Sequence, residues 1–390
     1  MKKVDVTIIG AGLAGLQCAR LLSRQGVKVL LVDRKLDLTK GVHTTGIFVR
    51  KTLEDFDLPL GTLGPGIRDV VLYSPKLRPC ELKSSHDEFR VGKMGLLYDC
   101  FLRECRMNGV EVSLGTRFIS SGTDDRNPDG LIVTLEQGAK QFDVAATILV
   151  GADGVNSRVA RCQGLDENKE WIVGYEEVFN TASSGGQPML HCFLDAELAP
   201  GYLAWIADDG DEVHVGVGGY ARDFDPRAAI RTFKDKIVGI RDLSGLQPVE
   251  TRGGRIPVGG VLKKISNKNS LLIGDAAGAV SPLTAGGLDP CLRLSAYAAN
   301  VALERLRTGD AKVMYSYSGN SFRARFVSRI WMRRLAAKMA RQSLLEMLCW
   351  VLRGRLGGLF ARHVFFGRGS FPDIDQKSAA APDVALAKHE

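Results

Sequence analysis

Hydrophobic positions along this chain alternate between short strand-length runs and helical stripes. Residues 4–9 form a strand-length run rich in β-branched side chains. A helical stripe follows, carried by Leu13, Leu16, Ala19, Leu21 and Leu22. Gly26 stops it, since glycine accepts a left-handed cap without steric cost. Residues 27–32 are a second apolar run and end at Asp33. Residues 36–60 then read as a polar loop leading into a short helical pattern over 49–56. Residues 66–92 give short strands, 94–107 an amphipathic helix, and 110–150 strands closed by a turn over 124–130. Residues 172–262 alternate strands with turns, interrupted by one helix over 226–238. A buried run at 271–273 precedes a long helix over 290–306, and the pattern is helical from 311 onward.

This order predicts an α/β protein in which one parallel unit is split by two insertions. The expected domains are a nucleotide domain over 1–65, 93–170 and 263–310, and a mostly antiparallel sheet domain over 66–92 and 171–262. Residues 311–369 form a basic helical segment, and 370–390 read as a disordered tail.

Composition adds three bounds. At 390 residues the chain is long enough for two packed domains. The eight cysteines and six histidines fall in no metal-ligand spacing, so no metal site is expected and the thiols read as reduced. No apolar run reaches the ~18 residues needed to span a bilayer. Lys2 and Lys3 precede an apolar run, as in a secretory signal, but the glycine fingerprint begins too early for one. The expected location is the cytoplasm, with peripheral attachment to the inner membrane face as an extension. The net charge of +8 is uneven: residues 322–368 hold eleven Lys/Arg against Glu346 alone, so that segment is +10 and the rest of the chain −2.

Gly10, Gly12 and Gly15 stand at G-x-G-x-x-G spacing between the first run and the first stripe, with Ala14 beside them. In this motif the first glycine permits a tight turn, the second lets backbone approach a pyrophosphate, and the third lets helix and strand pack. The helix N-terminus presents free amides to the phosphates, and Asp33 is spaced to accept ribose hydroxyls. Two later segments agree with this one: LVGADGVNSRVAR (149–161) and LLIGDAAGAVSPLTAGGLDP (271–290).

Together the three segments resemble the group A flavoprotein family, which has the p-hydroxybenzoate hydroxylase fold. The resemblance covers residues 1–310 and implies a Rossmann-like FAD-binding domain interleaved with a β-sheet substrate domain. It implies that Asp33 and Arg34 meet the adenosine end of FAD, that Asp153 lies near the pyrophosphate, and that Gly274 and Asp275 meet the ribityl chain. Gly286, Gly287 and Leu288 would then place a helix N-terminus beside the flavin pyrimidine. Thr44 and Thr45, in GVHTTG (41–46), would pass the ring edge. Lys93 is the cation nearest the position where the family has an arginine before Tyr98-Asp99. Asp153 also reads simply as a turn, with Ser157 capping the next helix.

Gly278 stands where aromatic hydroxylases commonly carry histidine. The GDAAG form is similar to the geranylgeranyl reductase branch, as is VHVGVGG (213–219). That branch's Tyr-x-Trp-x-Phe-Pro element is matched incompletely by Tyr202 and Trp205, one residue out of register. Candidates for chemistry are His43, Tyr202, Trp205, Asp289 and Cys291. Each has a structural alternative: loop histidine, sheet packing for the two aromatics, helix cap, and buried thiol.

The expected activity is reduction of a prenyl, lipid-like or other hydrophobic double bond by hydride from reduced flavin. The alternatives are a flavin monooxygenase acting on an aromatic or a peptide side chain, and a non-enzymatic flavin redox module bound to a membrane or partner. No second glycine fingerprint appears, so NADPH, NADH, ferredoxin and a quinol all stand as electron donors. The basic 322–368 segment has apolar stripes at Phe322, Phe326, Ile330 and at Leu344, Leu348, Leu352. It reads either as an anionic-membrane surface or as a helical cap. Its arginines are not interleaved with a reading module, so nucleic acid is not an expected partner. Oligomeric state is not legible.

Overall fold

The computed structural model describes residues 1–124, 127–180, 187–222, 224–338 and 341–367. The 370–390 segment read as a tail lies outside the described residues.

The first strand, Lys2–Ile9, sits at the centre of the first sheet. It pairs in parallel with Val29–Asp33 on one side and Lys140–Gly151 on the other. Both faces of this strand are covered, so the neighbours Thr7 and Ile8, which point to opposite faces, are both fully buried. Glu111–Leu114 extends one edge in parallel, and Ser270–Leu272 pairs in parallel with the end of Lys140–Gly151. Asn127–Gln137 and Thr116–Asp124 add an antiparallel flank. The helices Leu13–Ser23, Met94–Met107 and Leu288–Thr308 pack on one another through residues such as Leu16, Leu97, Phe101 and Leu292.

The second sheet runs in the order Glu250–Pro257, Trp171–Asn180, Glu212–Gly219, Ala204–Asp208, Met189–Phe193, Asp69–Tyr73, Pro79–Leu82. Every pairing is antiparallel except Met189–Phe193 with Asp69–Tyr73. Residues 66–92 divide between two sheets. Their outer parts, Leu63–Ile67 and Phe89–Gly92, join Ile47–Val49 in a small sheet of their own.

Glycines in the second sheet make room for two aromatic rings. A Cβ on Gly216 would lie 2.1 Å from the Trp205 ring, and one on Gly218 would lie 2.7 Å from Tyr202. The GVGG run is therefore a seat for Tyr202 and Trp205.

One buried cation ties the first sheet's long helix to the short helix Arg50–Asp55, which lies between two strands of the small sheet. Arg293 is fully buried and bonds Asp289 at 3.0 Å and Asp55 at 2.6 Å.

The last helices are Val327–Lys338, Gln342–Arg353 and Arg355–Phe366. Phe322 and Ile330 turn inward, as their stripe predicts. In Gln342–Arg353 the inward face is Leu345, Cys349 and Leu352, with Leu344 and Leu348 at its margin. Packing against the body thus rotated the buried face by one position from the sequence reading.

Candidate functional site

A single cavity of about 1650 Å³ runs from the first glycine turn to the C-terminal helices. A drug-sized ligand site occupies roughly 300–1,000 Å³, so this space suits two occupants end to end.

At one end the chain turns sharply after Ile9. Gly10 adopts φ +103°, and a Cβ there would lie 2.2 Å from the Ala152 carbonyl oxygen, so only glycine fits. Gly15 packs on this turn rather than lining the cavity; its Cβ would lie 1.8 Å from the Gly10 carbonyl oxygen. Gly12 differs, because no atom lies within 4 Å of where its Cβ would be. That open space lies over the N-terminus of Leu13–Ser23, whose first amides face the cavity. Asp33 is held by backbone: Ala11 N–H donates to one carboxylate oxygen at 2.7 Å and Lys35 N–H to the other at 2.8 Å. Each oxygen keeps a lone pair for a further donor. Ala14, Arg34 and Asp153 also line this end. Asp153 accepts from Ser157 Oγ at 2.6 Å and from Arg158 N–H at 2.7 Å, so it caps the following turn as well.

In the middle, Asp275 faces the cavity within the tight turn Gly274–Ala277. No protein donor reaches its carboxylate among the described residues, and burial pushes it up to about 6. Gly286, Gly287 and Leu288 lead into the 21-residue helix Leu288–Thr308, whose N-terminus opens on the same space. Ala285 is held at φ +50°. Tyr202 fastens this loop by donating its hydroxyl to the Thr284 carbonyl at 2.7 Å.

These features fit FAD. The open Gly12 position would leave room for a pyrophosphate, Asp33 retains lone pairs that ribose hydroxyls could use, and Asp275 lacks the donors that a ribityl chain would supply. A raised carboxyl makes the ionised form unfavourable in the apoprotein. Hydroxyl donors would favour that ionised form. FAD affinity is therefore expected to weaken as pH falls below about 6 and to level off above it. Asp275→Asn should flatten that profile and stabilise the apoprotein at pH 7–8 but not at pH 4. Titration of FAD fluorescence and thermal melts across pH check both.

The loop 41–46 crosses to the second sheet and is held at both ends. Lys35 Nζ donates to Gly41 O at 2.6 Å, Arg252 Nη1 donates to Thr44 O at 3.1 Å, and His43 Nδ1 bonds Gly253 O at 3.0 Å. Thr44 and Thr45 line the cavity. Thr45 donates its hydroxyl to Glu176.

The residues singled out from sequence differ in what they are free to do. Burial and the Lys35 charge push His43 below its usual range, and its ring nitrogen is taken by Gly253. Asp289 is occupied by Thr52 and Arg293. The Cys291 thiol is pushed up strongly by burial, so it is not a nucleophile. Trp205 lines the cavity and donates to Glu176 at 3.0 Å. Lys93, read from sequence as a cofactor contact, does not line the cavity here and turns to Asp211 at 3.5 Å. Gly278 is also off the cavity. It sits at φ +68°, and a Cβ would lie 2.6 Å from the Gly260 carbonyl oxygen. Backbone packing, not substrate, requires glycine there. Sequence reading did not single out Glu176 and Arg252, which line the cavity from the second sheet, or Arg117, which also lines it. The signal for Glu176 was a pair of acids, Glu176 and Glu177, within an otherwise apolar strand run.

The far end of the cavity is lined by Leu335, Leu345, Leu348, Leu352, Phe360 and Val364 from the last three helices.

The profile of the FAD binding domain family matches residues 3–57 and 97–332. The chain is 28% identical over 324 residues to digeranylgeranylglycerophospholipid reductase 2 of Methanosphaera stadtmanae, covering 80% of each chain. It is 28% identical over 333 residues to digeranylgeranylglycerophospholipid reductase 1 of Methanothermobacter thermautotrophicus, covering 79% of each. Its fold matches that of a geranylgeranyl bacteriochlorophyll reductase-like protein from Thermoplasma acidophilum with a TM-score of 0.80 and 19% identity, over 97% of this chain and 99% of that one. It also matches p-nitrophenol 4-monooxygenase from Pseudomonas putida, with a TM-score of 0.71 and 15% identity, over 95% and 100%.

Proposed function

Since this chain belongs to the FAD binding domain family, we propose that it is an FAD-dependent reductase that saturates isoprenoid double bonds in a membrane lipid. The carrying observation is the likeness, over four-fifths of the chain, to reductases named for a digeranylgeranyl glycerophospholipid. An apolar arm of the cavity, walled by the last three helices, supports it. In this reading Gly12 and Asp33 hold the nucleotide half of FAD, Asp275 the ribityl chain, and the helix beginning at Leu288 steadies negative charge on the ring. Bound and reduced, FAD supplies a hydride. Tyr202 and Trp205 wall the space where the double bond would lie, and the aliphatic and aromatic side chains beyond them exclude water from an extended chain.

Monooxygenases share the fold, and oxygen separates the two readings. Under strict anoxia, protein reduced with dithionite is expected to convert digeranylgeranylglycerophospholipid to species heavier by two hydrogens per double bond. Substrate change only on admitting oxygen would overturn the proposal.

The same reading puts the C-terminal helices on an anionic bilayer. No described helix is long and apolar enough to cross one. Trp331 (66% exposed), Trp350 (70%) and Leu356 (83%) stand out from the protein among Arg334, Arg353 and Arg355. Leu335 and Phe360 are exposed and line the cavity as well, so its apolar end opens on this surface. A lipid tail would pass from bilayer to cavity without crossing water. Each basic residue near an anionic surface contributes about 1 kcal/mol. Trp331→Glu combined with Trp350→Glu should reduce sedimentation with anionic vesicles at least ~10-fold, about 1.4 kcal/mol. Melting temperature should hardly change, because both side chains are exposed.

A further inference from the structure

Saturating a double bond consumes one hydride and one proton, and the proton needs a route into an apolar cavity. The residues first considered for this role are committed elsewhere. His43 is bonded to Gly253, Tyr202 donates to Thr284, and Asp289 is clamped by Arg293. One buried ionisable cluster has no such explanation. Glu176 is 3% exposed and lines the cavity. Thr45 and Trp205, both also cavity-lining, donate to its Oε2. On its other oxygen, His214 Nδ1 lies 3.3 Å away and Arg252 Nη1 3.5 Å away. His214 is 1% exposed and its Nε2 has no hydrogen-bond partner. That nitrogen lies 3.6 Å from Glu212 Oε2, whose side chain is 43% exposed. The sheet register explains the arrangement: Val178 pairs with His214 and Glu176 with Gly216 and Arg252, so all these side chains share one face.

We propose that Glu212, His214, Glu176 and Thr45 form a proton path from solvent to the cavity. The inference rests on the reductase reading for its purpose. Glu212 takes a proton from water and passes it to His214 Nε2. The Nδ1 proton of His214 moves to Glu176 Oε1. Rotation of that carboxyl presents the proton to Thr45 Oγ, which accepts it and releases its own hydrogen toward the substrate carbon. Glu212 reloads from water; His214 is left protonated at Nε2, and a turn of its ring must restore the Nδ1 proton before a second transfer. Burial works to raise the Glu176 carboxyl, but bonds from His214 and Thr45 and the Arg252 charge bring it below the ordinary carboxylate range. A carboxyl so placed gives up a proton readily and must be loaded by a neighbour, which is the part assigned to His214. Glu250, bonded to Arg252 at 2.6 Å, keeps that arginine from cancelling Glu176 alone.

The test uses full-length FAD-loaded protein reduced with dithionite and mixed anaerobically with digeranylgeranylglycerophospholipid vesicles. Reoxidation is followed across pH in H2O and D2O. General-acid groups typically contribute about 10²–10⁴-fold. Glu176→Gln is expected to slow reoxidation by about 10²-fold. His214→Gln and the surface substitution Glu212→Gln should lose the wild-type pH profile and solvent isotope effect, with FAD affinity and melting temperature of Glu212→Gln unchanged. Variants that keep both signatures, whatever their rates, would overturn the path. If the lipid fails to reoxidise even the wild type, the reductase reading falls. The path is then judged by infrared difference spectra of flavin reduction. A carboxyl band present in the wild type and absent in Glu176→Gln supports it; no such band refutes it.

Discussion

Gly12→Val should leave the apoprotein folded and abolish FAD binding. The two effects separate because of where this glycine stands. Its φ of −73° and ψ of −174° suit any residue, and no protein atom lies within 4 Å of the added Cβ. The valine side chain would instead occupy the space over the helix N-terminus, where the diphosphate must approach the amides. A loss of at least ~3 kcal/mol, or more than ~100-fold in affinity, is expected. The melting temperature of the apoprotein should stay near wild type. Gly10→Val makes the contrast, since its Cβ meets the Ala152 carbonyl at 2.2 Å and the fold itself should fail. Flavin titration beside thermal melts decides the matter. Retained FAD affinity in Gly12→Val would show that the fingerprint does not hold the diphosphate.

Arg293→Met carries a large expected cost in stability. The guanidinium is wholly buried and bonds two carboxylates, Asp55 and Asp289, on separate parts of the chain. It also lies 5.3 Å from the centre of the Phe56 ring. Removing one partner from a buried ion pair typically costs about 3–5 kcal/mol, because the remaining charge is left without compensation. Here Asp55 keeps Lys51 and Asp289 keeps the Thr52 hydroxyl, each at 2.7 Å, so the lower part of that range is expected. A triple replacement, Arg293→Met with Asp55→Leu and Asp289→Leu, should recover much of the loss. Chemical denaturation of the three proteins measures it. A loss below about 1 kcal/mol for Arg293→Met would mean that the cluster contributes little to holding the long helix in place.

The glycine fingerprint was readable from sequence because its demands are local. Gly10 answers to one backbone angle and one close carbonyl, and Asp33 to a fixed offset along a strand–helix–strand unit. Gly278 and Lys93 show the limit of the same approach. Both occupy positions that resemble functional ones, yet one is required by packing on Gly260 and the other turns away to Asp211. A motif specifies spacing along the chain; it does not specify which way a side chain leaves the backbone. The Gly216 and Gly218 pattern was recognised as a family trait, but its cause is steric room for Trp205, on the neighbouring strand, and Tyr202, just before that strand.

By itself, then, the sequence determined the α/β class, the split nucleotide unit, the FAD-type turns and the basic helical C-terminus. Each of these follows from contacts between near neighbours or from composition. Only the tertiary structure decided that Glu176, His214, Trp205, Arg252 and Thr45 meet, since strand register and a loop crossing between sheets bring them together from five separate segments. It alone decided that the arm of the cavity ends beneath the cationic helices, because which face of an amphipathic helix turns inward is set by the surface it packs on.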